Sequence, residues 1–208
     1  MGKQDELIVG IPRNELFSPG QYIRGFERYG AVVEECLVRM RRHMAFRYRS
    51  QCEDDPTFKQ FIPYCLITRG DEIFMVRRLS KSTETRLHDK HSVGIGGHMN
   101  PEPGVHIDFK ELLQRNMDRE LDEEVVIQRR SSEYDLPREI FGMVNFDGDP
   151  VGAVHIGIVY RIYVEAGVEV EVNEPENMVG GFVSLDEARR APNLETWSEA
   201  CIKGLMGK

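Results

Sequence analysis

The chain has 208 residues, 40% hydrophobic and 30% charged, enough apolar material for one well-buried domain with an extension or at most two small domains. A formal net charge of −8 argues against a broad basic surface for nonspecific nucleic-acid binding, while leaving room for a small basic pocket that takes a phosphorylated ligand. Cys36, Cys52, Cys65 and Cys201 are scattered without a close pair, and no signal-like apolar start or membrane-length apolar run is seen, so a reducing, cytoplasmic compartment is expected.

Leu7-Ile8-Val9, ending at Pro12, reads as an edge strand. Pro19-Gly20 punctuates a loop. From Tyr29 to His43, Val32, Val33, Cys36, Leu37 and Met40 keep a helical period, and Arg39, Arg41 and Arg42 gather at the C-terminal end, where cations suit the helix dipole. The basic run continuing to Arg49 is either a solvated helix end or a phosphate patch. Residues 1–55 are expected to form an N-terminal extension packed on a main domain of residues 56–208, where they cover the sheet, make a dimer contact or shape a pocket. Phe61 to Thr68 and Glu72 to Leu79 read as an antiparallel hairpin around Arg69-Gly70-Asp71. Arg77 and Arg78 end its second strand on opposite faces, so only one of them can reach a site on a given side. Either is a surface charge or a phosphate contact. Residues 80–92 read as a polar loop.

His88, His91, His98 and His106 lack nearby cysteines and a helical His-x-x-x-His spacing, which favours loop histidines over a zinc site. Gly94-x-Gly96 meets Met99 where a dinucleotide fingerprint needs its third glycine, and no Lys-Ser/Thr follows for an NTPase phosphate loop.

The densest chemistry lies in Arg119-Glu120-Leu121-Asp122-Glu123-Glu124, near the end of a predicted helix. At about 100° per residue, Glu120, Glu123 and Glu124 fall within an arc of roughly 100°. Leu113, Met117, Leu121 and Val125 lay down an apolar stripe that overlaps the sector of Glu120 and Glu124, so these acids should sit beside the core. Acids placed there need a counter-charge, and a hard divalent cation with oxygen ligands, Mg²⁺ or Mn²⁺, fits best. The alternative is a solvated face carrying the pairs Glu111–Arg115 and Arg119–Glu123.

After the helix, strands are expected over Glu139–Phe146 and Ala153–Glu165, separated by the turn Asp147-Gly148-Asp149-Pro150. Val154, Ile156, Ile158, Tyr160, Ile162 and Val164 alternate on one face of the second, and His155 lies on the other, as a structural histidine or a substrate contact. An acidic loop over Glu169–Asn177 leads to a short strand from Gly180 that ends in a helix cap before Asp186-Glu187. Asn193 to Leu205 closes the chain as a helix with Trp197 as packing anchor. Hairpins mixed with an acidic helix and covering helices indicate an α/β fold, an α/β/α sandwich around a mixed β-sheet.

Gly94-Ile95-Gly96-Gly97-His98, a glycine turn after a short apolar strand, then a loop into the acidic helix, together resemble the Nudix box. That pattern is Gly, five residues, Glu, seven residues, then Arg-Glu-apolar-x-Glu-Glu-x-Gly-apolar. Glu111, seven residues, Arg119-Glu120-Leu121-Asp122-Glu123-Glu124 and Ile127 match it. Thirteen residues separate Gly97 from Glu111, which looks like a loop insertion, and Val126 replaces the closing glycine, so the helix cannot end on a left-handed glycine. The likeness spans residues 60 to 190.

The resemblance implies a Nudix-like fold and metal-dependent hydrolysis of a diphosphate linkage, in a nucleoside diphosphate joined to another moiety. By it, Glu120, Glu123 and Glu124 with the Gly97 carbonyl hold Mg²⁺ or Mn²⁺, and Arg119 orients and neutralises the acids, so that Arg119, Glu120 and Glu123 form the catalytic set. A further carboxylate comes from the acidic loop, at Glu176 or Glu174. Arg77, Arg78 and His155 are the candidate substrate contacts. The expected partner is a small diphosphate molecule, with no nucleic acid or membrane, and a homodimer remains open. The same fold also serves non-catalytic diphosphate-binding modules and diphosphate-ester isomerases. Geometry sets Glu111 apart, because in a continuous helix it points about 180° from Glu120. Asp108 and Glu111 read as a capping box at the helix start.

Overall fold

The computed structural model describes residues 5–79, 89–102, 108–128 and 136–207. The first half comprises β1 (Leu7–Pro12), α1 (Arg13–Leu16), β2 (Gly25–Arg28), α2 (Ala31–His43), β3 (Ala45–Tyr48), β4 (Phe58–Arg69), β5 (Glu72–Arg78), β6 (His91–Ser92) and β7 (Gly94–Ile95). The second comprises α3 (Phe109–Glu124), β8 (Val125–Ile127), β9 (Arg138–Asn145), α4 (Pro150–Val154), β10 (His155–Tyr163), β11 (Val170–Val172), β12 (Met178–Ser184), α5 (Leu185–Arg190) and α6 (Thr196–Leu205).

β4 is buried along its whole length except at Arg69, which is the pattern of a strand covered on both faces. It pairs in parallel with β10 from Gln60↔His155 to Thr68↔Tyr163, and antiparallel with β5 at the hairpin. The main path of the sheet runs β12-β5-β4-β10-β9-β2. Alternation then sorts the side chains. Phe61, Cys65 and Ile67 of β4 and Ile156, Ile158, Tyr160 and Ile162 of β10 meet Val33 and Met40 of α2 and Leu113, Met117 and Leu121 of α3. On the opposite face Tyr64, Leu66 and Val159 meet Ala188 of α5 and Cys201 and Ile202 of α6, with Trp197 edge-on to Tyr64 at 5.6 Å. The result is an α/β/α sandwich around a mixed sheet.

Residues 1–55 do more than pack on this domain. β1 is not an outer edge: Leu7–Gly10 pair with β3 and Gly10–Pro12 with β4, while β2 pairs with β9. Gly10 permits the stagger, since a Cβ there would lie 2.4 Å from the Phe58 ring and 2.5 Å from the Lys59 carbonyl oxygen. Ahead of β10 the Asp147 turn leads into the one-turn helix α4, where Asp149 accepts from the Gly152 N–H at 2.8 Å, so the strand starts at His155 rather than Ala153. β12 begins at Met178, and Ser184 and Glu187 form a reciprocal capping box. The loop residues 80–88 and His106 lie outside the described residues. Among the described residues no helix is long and apolar enough to cross a membrane.

Candidate active site

Asp108 caps α3 as its sequence indicates, accepting from the Lys110 N–H at 3.2 Å. Glu111 does not complete a capping box. Its carboxylate takes Arg115 at 2.6 Å instead, one turn along the exposed face, and Arg115 is also held by Glu102 at 2.9 Å. A charged guanidinium one helical turn along outcompetes the neutral backbone N–H at the helix start. The other end of α3 solves the missing glycine without a left-handed residue: Val125 adopts φ −140° and ψ 150°, its N–H still reaches the Leu121 carbonyl, and the chain passes directly into β8, which pairs with β11.

Within this frame Glu120 is 7% exposed and lies against Gly97. A Cβ at Gly97 would sit 2.4 and 2.6 Å from the two carboxylate oxygens, so a side chain there would displace the carboxylate. The glycine turn is pinned in turn by β7, paired with Cys65 and Leu66 of β4. Arg119 Nη2 is 2.7 Å from Glu120 Oε1, and Nη1 donates to Glu123 Oε1 at 3.1 Å. The same guanidinium donates to the His98 carbonyl at 2.8 Å and to Asn100 Oδ1 at 2.9 Å. Burial pushes the Glu120 carboxyl above its ordinary pKa; Arg119 opposes this and Glu123 adds to it. Burial alone would lower the Arg119 pKa, yet Glu120 and Glu123 outweigh it and raise the value.

Glu124 Oε1 stands 3.7 Å from Arg78 Nη2, and the Arg78 Nε is buried with no hydrogen-bond partner. Of the two arginines, Arg78 therefore turns towards the acids, while Arg77 is exposed on the other face of β5. Glu123 is largely in solvent, its side chain 58% exposed. The three acids share a helix face but not one environment, and among the described residues no three His, Cys, Asp or Glu side chains are grouped to hold a metal ion.

No family model matches the chain. Over 206 residues it is 37% identical to Protein YmaB of Bacillus subtilis (strain 168), spanning 97% of this chain and 98% of that protein. The crystal structure of Tm1382, described as a candidate Nudix hydrolase, matches 97% of this chain and 99% of its own at 25% identity, with a TM-score of 0.75. The chain belongs to the Nudix hydrolase family. A bifunctional NMN adenylyltransferase/ADP ribose pyrophosphatase from Francisella tularensis shares the Nudix fold alone, with a TM-score of 0.50 at 16% identity over 72% of this chain and 41% of that one. Its Nudix neighbours place the protein, in general terms, among diphosphate-cleaving hydrolases.

The remaining Nudix candidates are distributed around α3. The acidic loop is hooked to the helix end by Asn173, whose N–H donates to the Glu124 carbonyl at 2.9 Å and whose Nδ2 donates to the Asp122 carbonyl at 2.6 Å. Within it Glu174 accepts from Asn177 Nδ2 at 2.8 Å, and Glu176 is exposed. His155 is buried. Its Nδ1–H donates to the Val151 carbonyl at 2.6 Å, and burial lowers its pKa, so the ring is neutral with Nε2 free to accept. His98 Nε2 lies 3.1 Å from that atom and 3.1 Å from Gln60 Oε1.

Sequence reasoning missed the polar frame behind Arg119. Asn100 N–H donates to Asn116 Oδ1 at 2.7 Å and Asn116 Nδ2 returns to the Asn100 carbonyl at 3.0 Å. Asn100 Nδ2 then reaches Glu6 Oε1 at 2.8 Å and the Leu7 carbonyl at 2.9 Å. A polar residue four places before Glu120 on the buried side of α3 was a signal for Asn116; Asn100 and Glu6 carried none.

Proposed function

We propose that this protein is a metal-dependent hydrolase that cleaves a diphosphate linkage in a small molecule, a nucleoside diphosphate joined to another moiety. The observation that supports this reading is the buried carboxylate of Glu120 facing the side-chain-free space at Gly97, with Glu124 beside it. Carboxylate and carbonyl oxygens are the donors that Mg²⁺ or Mn²⁺ prefers. Glu120, Glu124 and the Gly97 carbonyl would hold the cation, with Glu123 or a loop acid, Glu174 or Glu176, completing the set. Bound there, the cation supplies Lewis acidity towards phosphoryl oxygens and lowers the pKa of the attacking water. Arg119, fixed by His98 and Asn100, keeps Glu120 oriented and offsets its charge. Arg78, whose guanidinium stands beside Glu124, would be the cation that meets a phosphate oxygen.

Turnover of nucleotide sugars, dinucleoside polyphosphates, ADP-ribose and nucleoside triphosphates with Mg²⁺ or Mn²⁺ tests the proposal. Hydrolysis of one class, abolished by chelator, is the expected result. A non-hydrolysing diphosphate-binding module is favoured by one feature, the Arg119 bridge that engages both Glu120 and Glu123. Saturable diphosphate binding with no turnover across the panel would select that reading.

A further inference from the structure

Gln60 of β4, His155 at the first position of β10 and His98 of the loop after β7 bring their polar ends to one point. The parallel register of β4 and β10 sets Gln60 directly beside His155. His98 Nε2 closes the group, 3.1 Å from Gln60 Oε1 and 3.1 Å from His155 Nε2. Gln60 is wholly buried and His155 is 7% exposed, while His98 is half-buried, so the point is reached from the side of the His98 ring.

Hydrogens are short at this point. His155 Nδ1–H donates to the Val151 carbonyl at 2.6 Å, so its Nε2 presents a lone pair. Gln60 Nε2 donates to the Cys52 carbonyl at 3.3 Å, which turns the amide oxygen towards His98. One hydrogen, on His98 Nε2, therefore faces two acceptors. A cation in its place engages all three atoms at once. Donors bound at about 2.0–2.1 Å lie roughly 3.3 Å apart in a tetrahedral shell and roughly 2.9 Å apart in an octahedral one. The 3.1 Å spacings fall between these values. A backbone carbonyl on the far nitrogen, as Val151 provides for His155, is the contact that orients a metal-binding imidazole.

The donor set also selects the cation. Two imidazoles and a carboxamide oxygen are neutral and nitrogen-rich, which suits Zn²⁺ and its transition-metal neighbours and not Mg²⁺, which seeks anionic oxygens. The acids of α3 take no part. His98 meets Arg119 through its backbone carbonyl, at 2.8 Å, and β4 and β10 through its ring. The charges that act most strongly on the His155 ring are Glu53, Arg49 and Lys59. We propose that Gln60, His98 and His155 form a binding site for a divalent transition cation of the Zn²⁺ class, separate from the acids of α3. Such a cation ties the loop after the glycine turn to the starts of two central strands. The inference does not depend on the cleavage chemistry proposed above.

Calorimetric titration of the full chain with Zn²⁺, in excess Mg²⁺, tests it on wild type, Glu120→Gln, His98→Gln and His155→Gln. Glutamine keeps a hydrogen-bonding end and removes the imidazole. Wild type should bind one Zn²⁺ per chain saturably, Glu120→Gln should keep that affinity within about threefold, and each histidine variant should weaken it at least about tenfold. Zn²⁺ should also raise the melting transition of wild type and not that of His155→Gln. A measurement on wild type alone stands beside the variants: in ¹⁵N spectra of the histidine rings, Zn²⁺ should shift the Nε2 signals of His98 and His155 ahead of those of the other histidines. Absence of saturable binding, binding lost in Glu120→Gln, binding unchanged in both histidine variants, or shifts confined to other histidines would each overturn the proposal.

Discussion

Glu120 carries two opposing demands, since burial disfavours its charge and the cation binding proposed for it requires that charge. Its folded pKa is raised above the ordinary 4.5. A carboxyl raised in this way favours the fold fully only below the unfolded value, and that contribution is lost as pH rises through the folded value. At neutral pH the ionised group therefore opposes folding. Glu120→Gln should melt roughly 1–4 °C above wild type at pH 7 without divalent cations, and the gap should close as pH falls towards the carboxylate range. Added Mg²⁺ should raise the wild-type transition and not that of the variant, whose turnover should fall at least about 100-fold. A variant that melts below wild type at pH 7 would refute the burial argument, and near-normal turnover would refute the role. Glu111 belongs to a different class of acid. Its pair with Arg115 is half exposed, so Glu111→Ala should cost no more than about 0.5 kcal/mol and leave turnover within about threefold. A chemical-denaturation difference above 2 kcal/mol, or abolished turnover, would contradict this.

At the scale of elements, α3 ends by becoming a strand. Val126 is 45% exposed and pairs across from Glu171, so the residue replacing the family glycine has a strand position to fill. Val126→Gly should lower stability by about 0.5–1 kcal/mol, the penalty of glycine in a regular element, without changing the rate of folded protein. A gain in stability would mean that the junction is strained as it stands. The end of β5 offers a second contrast. Strand alternation puts Arg78 beside Glu124 and Arg77 on the far face, so steady-state kinetics should show Arg78→Ala losing at least about tenfold in kcat/KM and Arg77→Ala changing it little. Equal losses would place the substrate differently.

Over the whole molecule, the N-terminal residues are part of the sheet and of the site. β1 lies between β3 and β4, Val33, Cys36 and Met40 of α2 share the core with α3, and the Val9 N–H donates to the Met99 carbonyl at 2.7 Å, next to Asn100. A chain beginning at residue 56 would expose that core face and release the frame behind Arg119. It should show no cooperative thermal transition by circular dichroism. A folded, active fragment would show that residues 1–55 are dispensable cover.

Spacing along the chain was sufficient for the parts of this protein that depend on angle about an axis. The stripe of Leu113, Met117 and Leu121, the alternation from Ile156 to Ile162, the hairpin at Gly70 and the shared face of Glu120, Glu123 and Glu124 are all local regularities, and each reappears in three dimensions. Which of those acids is buried is not a matter of angle. Glu120 is covered because Gly97 passes over it, Glu124 meets Arg78 from another strand, and Glu123 is left to solvent and Arg119. The same holds for Asn100 reaching Glu6 and for Lys59, an apparently ordinary strand lysine that the fold buries against Asp147. Burial and counter-charge are set by whichever distant segment packs against a residue, and for these residues only the tertiary structure brings that segment into place.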